Sequence, residues 1–153
     1  MKKKPSCRLG ADETIVRPFR VKDYDAVIAL WRRTEGVGLN ESDTRRAIAA
    51  FLQRNPRLSF VVEKGGRIIG AVLCGHDGRR GYLHHLAVAE SHRGQGLGRL
   101  LVDRCLARLR EDGIDKCNIF LFADNQEGRK FWETIGWKER GDLLMMQRVL
   151  SPS

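Results

Sequence analysis

Apolar residues recur along this chain at two spacings, which predict short strands and amphipathic helices. Helical spacing places Tyr24, Val27, Ile28 and Trp31 on one face, and a similar stripe follows Asn40. β-branched runs between glycine turns predict strands. The predicted strands are 14–19, 58–63, 67–74, 81–89, 117–123, one near Trp137 and 143–149; the predicted helices are 23–33, one between Asn40 and Asn55, 96–112 and 125–135.

The order of these elements is a three-stranded meander followed by a β-α-β unit, which predicts an α/β protein with a mixed sheet. The near-continuous apolar run from Ile119 to Ala123 is typical of a strand buried on both faces. A length of 153 residues predicts one domain spanning 1–153, with 1–13 as a flexible N-terminal segment.

Several features of the composition restrict the class of protein. No apolar run approaches the roughly 20 residues of a membrane span, and the start of the chain lacks the apolar region of a signal peptide. We therefore expect a cytoplasmic protein with no membrane partner. The four cysteines have no C-x-x-C spacing, which predicts reduced thiols and no metal site; they are Cys7, Cys74, Cys105 and Cys117.

A formal net charge of +9 favours an anionic partner. Nucleic acid, an anionic membrane surface and a small ligand with several phosphates would all satisfy it. The sequence has no pattern of base-stacking aromatic residues and no zinc-finger spacing, so nucleic-acid binding has no support beyond the charge.

The segment from Arg93 to Gly98 follows a predicted strand and opens a predicted helix. Glycines allow a phosphate to approach the bare backbone, and a helix N-terminus adds partial positive charge. Neither the G-x-G-x-x-G pattern nor a G-K-[ST] sequence is present, because Arg99 stands three residues after Gly96. The segment therefore predicts a different phosphate site, or a turn that only allows a helix and a strand to pack closely.

Two motifs resemble a known family. Arg93-x-x-Gly96-x-Gly98 is similar to the [RQ]-x-x-G-x-[GA] signature of the GCN5-related N-acetyltransferases (GNAT), and Leu86-Ala87-Val88 precedes it as in that family. Asn125 and the stretch 131–137 resemble the family's later motif, and the likeness runs from about Thr14 to Leu150. It implies a mixed, mostly antiparallel sheet of about six or seven strands with splayed central strands, flanked by about four helices.

The resemblance also implies a binding site for acetyl-coenzyme A (acetyl-CoA). Backbone groups of the glycine segment would hold the pyrophosphate, and the strand before it would bind the acyl-pantetheine arm as an added strand does. The residues so implicated are Leu86, Ala87, Val88, Arg93, Gly94, Gln95, Gly96, Leu97, Gly98, Arg99, Asn125, Lys130 and Phe131.

The implied reaction is direct attack of a primary amine on the thioester, with the Leu86 N–H as the oxyanion donor. The acceptor would be a small molecule, an amino acid or a protein N-terminus. Trp132 stands where many relatives carry a tyrosine that acts as an acid, and an indole N–H does not act as one. A silent coenzyme A-binding or sensor module is the alternative.

The general base is open, because Tyr82 and Phe120 stand where relatives often carry glutamate. His84 and His85 are adjacent, so strand alternation predicts that they point to opposite faces. His85 is preferred as the base because it precedes Leu86, with His84 as the alternative and Tyr82 as a further catalytic candidate. Four acidic residues could attract a cationic amine but are typical of plain surface; these are Glu41, Asp43, Glu139 and Asp142. A monomer or homodimer is expected.

Overall fold

The computed structural model describes residues 13–151, which form two compact units, one ending at Phe120 and one beginning at Leu121. The predicted flexible segment falls outside these residues except for Glu13, and so does Cys7. Within 13–151, no helix combines the length and the apolar content that crossing a bilayer requires. The same residues contain no group of three or more His, Cys, Asp or Glu side chains that could hold a metal ion.

The first unit is a five-stranded sheet with three α-helices. The strands lie in the order β1-β2-β3-β4-β5, with antiparallel pairing from β1 to β4 and parallel pairing between β4 and β5. This confirms the predicted α/β class and mixed sheet. The elements are β1 (Thr14–Pro18), α1 (Tyr24–Arg32), α2 (Arg45–Arg54), β2 (Phe60–Lys64), β3 (Arg67–His76), β4 (Gly81–Val88), α3 (Leu97–Glu111) and β5 (Cys117–Ile119).

Helices cover both faces of this sheet. A Cβ at Gly70 or Gly81 would contact leucines of α3, whereas one at Gly75 would contact Phe51 of α2. Gly75 pairs with Tyr82, which is the neighbour of Gly81 on β4. Successive residues of a strand point to opposite faces, so α2 and α3 lie on opposite faces of the sheet. The core between the layers is largely apolar and includes Leu30, Trp31, Ile48, Val61, Val72, Leu101 and Leu109.

A charged network joins β1 to the turn before α1. The Arg17 guanidinium donates to both carboxylate oxygens of Asp23 at 2.8 Å and to Glu63 on β2 at 2.9 Å. Burial opposes ionisation of Asp23, but the bonds from Arg17 and from the Arg20 N–H hold its pKa below the usual range. The network therefore fixes the start of α1 against the sheet edge.

The described cysteines are free thiols, as predicted. Cys74 and Cys105 are buried between the sheet and α3, and Cys117 is half-buried on β5. A hydrogen bond with Cys74, together with burial, raises the pKa of Cys105, and burial raises the pKa of Cys117 to about 12. The Cys105 and Cys117 thiols therefore remain protonated near neutral pH.

The second unit contains one helix, α4 (Gln126–Thr134), which the Asn125 side chain caps by accepting the Gly128 N–H at 2.9 Å. Trp132 is buried within this unit against Trp137, with ring centroids 4.8 Å apart. The prediction of two strands, near Trp137 and at 143–149, was wrong. Residues 137–151 form no backbone pairing with another strand, and a strand needs a hydrogen-bonded partner.

The strand predicted to run to Ala123 was also too long. β5 ends at Ile119, and Phe120 is 58% exposed. An apolar run does not distinguish a doubly buried strand from aromatic residues exposed beside an open edge.

Candidate functional site

A bulge in β4 organises the site. Ala71 pairs with Ala87 and Leu73 pairs with His84, so two residues of β4, His85 and Leu86, oppose one residue of β3. His85 adopts the left-handed conformation, with φ of 54°. That conformation is uncommon for a residue with a Cβ, although histidine is enriched among those that adopt it. The bulge removes Leu86 from the regular pairing with β3.

The bulge also places both histidines on one side of the sheet. The His84 ring meets the edge of Phe51 of α2, with centroids 6.2 Å apart, and the His85 ring contacts Trp31 of α1 at 5.0 Å. The prediction of opposite faces was wrong, because the extra residue shifts the alternation by one position.

His85 is held by a buried carboxylate. Its Nε2 lies 2.9 Å from Oδ1 of Asp43, which is only 5% exposed, and Oδ2 accepts the Asn40 N–H at 3.0 Å. A carboxylate accepts only, so the proton belongs on Nε2 and Nδ1 keeps its lone pair in the neutral ring. The interpretation of Asp43 as plain surface was wrong, because the turn at Glu41–Asp43 directs this side chain inward.

A cleft of about 220 Å³ opens beside β4 on the α2 side. The Tyr82 ring is nearly parallel to the Phe120 ring, with centroids 6.0 Å apart, and to the His84 ring, with centroids 6.4 Å apart, within this cleft. We call it the aromatic cleft, and its lining includes Phe51, Arg54, Asn55, His76, Tyr82 and His84.

His84 is a partly buried titratable group of the cleft. Burial, and next the neighbouring His85, lower the pKa of His84, and the more distant Asp43 carboxylate opposes them only in part. The ring is therefore neutral at pH 7 and carries one nitrogen with a free lone pair. Within residues 13–151, no side chain or backbone group forms a hydrogen bond with it.

Beyond Leu83, one edge of β4 has no paired strand among the described residues. β4 pairs with β5 only at Gly81, Tyr82 and Leu83, and no described strand covers this edge at 84–88. Polar groups of an extended ligand can therefore bind here as an added strand would. Arg93 reaches back to this segment and donates from Nε to the Val88 carbonyl at 3.1 Å.

A glycine cradle follows at the start of α3. Gly94 and Gly96 both have φ of 76°, and a Cβ at either would meet nothing within 4 Å. No side chain caps the helix, and its first internal bond runs from the Leu100 N–H to the Gly96 carbonyl. The N–H groups of Leu97, Gly98 and Arg99 thus have no partner in the helix, and exposed Arg93 and Arg99 flank them. This donor set fits a pyrophosphate.

The remaining predicted ligands lie in the second unit. Asn125 uses its side-chain oxygen to cap α4, Lys130 is exposed, and Phe131 packs edge-on against Trp132. Their contacts with a ligand stay predictions. Sequence reasoning missed Arg54, and it assigned Phe51 to the core without a site role; no motif marks either residue.

The comparison with known proteins decides the family. A model of the acetyltransferase (GNAT) family matches residues 24–137, which is most of the chain. This chain belongs to the GNAT acetyltransferase family. The match confirms the resemblance and the cosubstrate predicted from the sequence, acetyl-CoA.

Individual members of this family agree with the match. An acetyltransferase of Sodalis glossinidius is 29% identical over 135 residues, which is 88% of this chain and 94% of that protein. Two solved structures share the fold. An acetyltransferase of Clostridium acetobutylicum with acetyl-CoA has a TM-score of 0.70 at 19% identity, covering 88% and 96% of the two chains. The PaiA N-acetyltransferase of Thermoplasma acidophilum with coenzyme A has a TM-score of 0.72 at 15% identity, covering 82% and 90%.

Proposed function

We propose that this GNAT acetyltransferase transfers the acetyl group of acetyl-CoA to a primary amine by direct attack. The observation that carries the proposal is the adjacency of two features: the uncapped glycine cradle at the start of α3, and the β4 edge left open at 84–88 just before it. The cradle suits the phosphates of coenzyme A, and the open edge suits its pantetheine arm.

The backbone at the bulge supplies the electrostatic part of the reaction. The Leu86 N–H, outside the regular pairing with β3, would donate to the thioester oxygen as charge develops on it. The amine nitrogen forms the new C–N bond, the C–S bond breaks, and the sulfur leaves as thiolate. A thiol pKa of about 8.5 makes this anion a tolerable leaving group without a tyrosine acid.

We propose His84 as the base in place of His85, the residue preferred from the sequence. The amine nitrogen must lose a proton, and His84 lines the aromatic cleft as a neutral ring with a free lone pair. His85 is instead engaged with Asp43, and its role would be to hold the bulge and thus the Leu86 N–H in place. His85 acting directly through Nδ1 is the competing assignment.

The test is acetyl-CoA turnover by the full chain with a panel of primary amines, followed by detection of the free thiol. We expect acceptor-dependent thiol release, and loss of about 100-fold or more in kcat/KM for His84→Ala, because general-base help is worth that much. His85→Ala, which retains His84, is the comparison variant. Loss of the acidic limb of the pH profile of kcat/KM in His85→Ala but not in His84→Ala would assign the base to His85, since a lower rate alone would also follow from displacement of the Leu86 N–H.

Binding of coenzyme A without thiol release for any amine would contradict the proposal. It would instead favour the silent binding module. Calorimetric titration with coenzyme A on the same preparation distinguishes that outcome from a misfolded sample.

A further inference from the structure

The aromatic cleft has a chemical character that narrows the choice of acceptor. It lies on the α2 side of β4 and shares His84 and Tyr82 with the strand that carries Leu86. His84 and Leu86 are separated along the strand only by His85, the residue at the bulge. A ligand in the cleft could therefore present its amine to the thioester, and the inference rests on the proposed acyl transfer.

Several polar groups of the cleft are already used within the fold. The Asn55 amide donates to the Phe51 carbonyl and accepts the His76 N–H. The His76 ring bonds Asp112 through Nε2 and the Gly78 N–H through Nδ1. Both side chains are therefore held by hydrogen bonds within the fold, and we do not assign either of them to ligand recognition.

The carboxylate at the rim is also engaged. Asp77 accepts the N–H groups of Arg79 and Arg80 through Oδ1, both at 2.8 Å, and these bonds hold its pKa below the usual value. Its charge is thereby partly balanced by its own turn. It is therefore a poor anchor for a cationic ligand.

Arg54 is different. It is the last residue of α2 and lines the cleft, and within residues 13–151 its guanidinium forms no hydrogen bond or ion pair with a side chain. A guanidinium with five donors in a planar fork matches the geometry of a carboxylate or a phosphate, and a carboxylate is the group that an amino acid supplies. Beside it, Phe51, Tyr82 and His84 offer ring surfaces that suit a flat apolar group.

We propose that the aromatic cleft binds the acceptor as an amine that carries both an aromatic ring and a carboxylate, as in an aromatic amino acid. The ring lies among Phe51, Tyr82 and His84, and the carboxylate pairs with Arg54. A volume of about 220 Å³ suits a ligand of this size. The amine is then directed along β4 toward Leu86.

The first experiment compares L-phenylalanine with 2-phenylethylamine, which has the same ring and amine but no carboxylate. For Arg54→Gln we expect kcat/KM to fall roughly 10- to 100-fold with phenylalanine, as for loss of a charge-assisted pair, and to change less than about 2-fold with phenylethylamine. Because kcat/KM of the variant is divided by that of the unmodified protein for the same compound, the difference in amine pKa between the two compounds does not affect the comparison. Arg46→Gln is the matched control, because Arg46 is exposed on α2 outside the cleft.

The second experiment measures binding without turnover. Calorimetry with N-acetyl-L-phenylalanine and coenzyme A should show binding that Arg54→Gln weakens and Arg46→Gln does not. Such binding without thiol release from any amine would support the cleft assignment and contradict the acyl transfer. Turnover of phenylethylamine equal to that of phenylalanine, or equal losses for both in Arg54→Gln, would overturn the cleft assignment and leave the acyl transfer standing. No binding of N-acetyl-L-phenylalanine combined with no turnover of phenylalanine would also overturn it.

Discussion

At the scale of single residues, two neighbouring histidines occupy contrasting environments. His85 faces a buried carboxylate and an indole, whereas His84 faces only aromatic rings and the cleft. A charged imidazole gains a partner in the first environment and only loses water in the second. One bulge thus gives adjacent positions of the same residue type different chemical uses.

His84 should titrate below the ordinary value of about 6.5 for histidine, because burial disfavours its charged form. In the unfolded chain the same ring takes up its proton first. The contribution of His84 to folding stability is therefore full above pH 6.5 and is lost as the pH falls through 6.5 toward the folded pKa.

NMR titration of the ring protons measures this midpoint. The protein unfolded in urea provides the reference, and His84→Gln identifies the resonance. A midpoint at or above 6.5 in the folded protein would show that the ring is better solvated than its surroundings in the structure indicate.

At the scale of elements, the close approach of α2 to the sheet depends on Gly75 of β3. A Cβ at this position would lie 2.8 Å from the Asn55 side chain and 2.9 Å from the Phe51 ring. Both side chains border the aromatic cleft. The end of α2, and with it Arg54, is therefore positioned by the absence of a side chain on the neighbouring strand.

Gly75→Ala should lower the free energy of unfolding by about 1–3 kcal/mol, because overpacking forces α2 away from β3. Urea denaturation followed by circular dichroism measures this change. Gly141→Ala is the control, since a Cβ there meets nothing within 4 Å and Gly141 has no left-handed φ. Equal stability of the two variants would mean that Phe51 and Asn55 can shift without cost.

The sequence predicts these elements well where a local pattern determines them. The stripe of α3, the meander of β2 to β4 and the glycine cradle all depend on residues close together in the chain. The bulge at His85 has no such local signal, because residues 82–88 contain no glycine and their sequence is that of an unbroken strand. The contact of Asp43 with His85 joins residues 42 positions apart, and only the folded chain reveals it.

At the scale of the whole molecule, the excess of basic residues supports binding of a polyphosphate. The formal net charge is +9, and exposed Arg93 and Arg99 stand at the cradle. Their attraction for phosphates acts through water and is screened by salt. Binding of the phosphate end of coenzyme A should therefore be more sensitive to salt than binding of its pantetheine arm.

We expect the Kd of coenzyme A to rise about 3- to 10-fold between roughly 50 and 200 mM salt, measured by calorimetry. Arg99→Gln should reduce this salt dependence. Pantetheine, which lacks phosphates, serves as the control and should show almost none. A Kd for coenzyme A that does not change with salt would place its phosphates away from the cradle.

The single inserted residue in β4 also shifts by one position the alternation of side chains between the two faces of the sheet. Before His85, even-numbered side chains of the strand face α2; after it, Ala87 takes that side by pairing with Ala71. Deleting one residue here would let the strand align fully with β3 and would leave Ala87 opposite Ala71 and Val88 opposite Gly70, so the side chains that follow would keep their faces. The extra residue thus changes the backbone of β4 only locally, where it removes Leu86 from the regular pairing with β3.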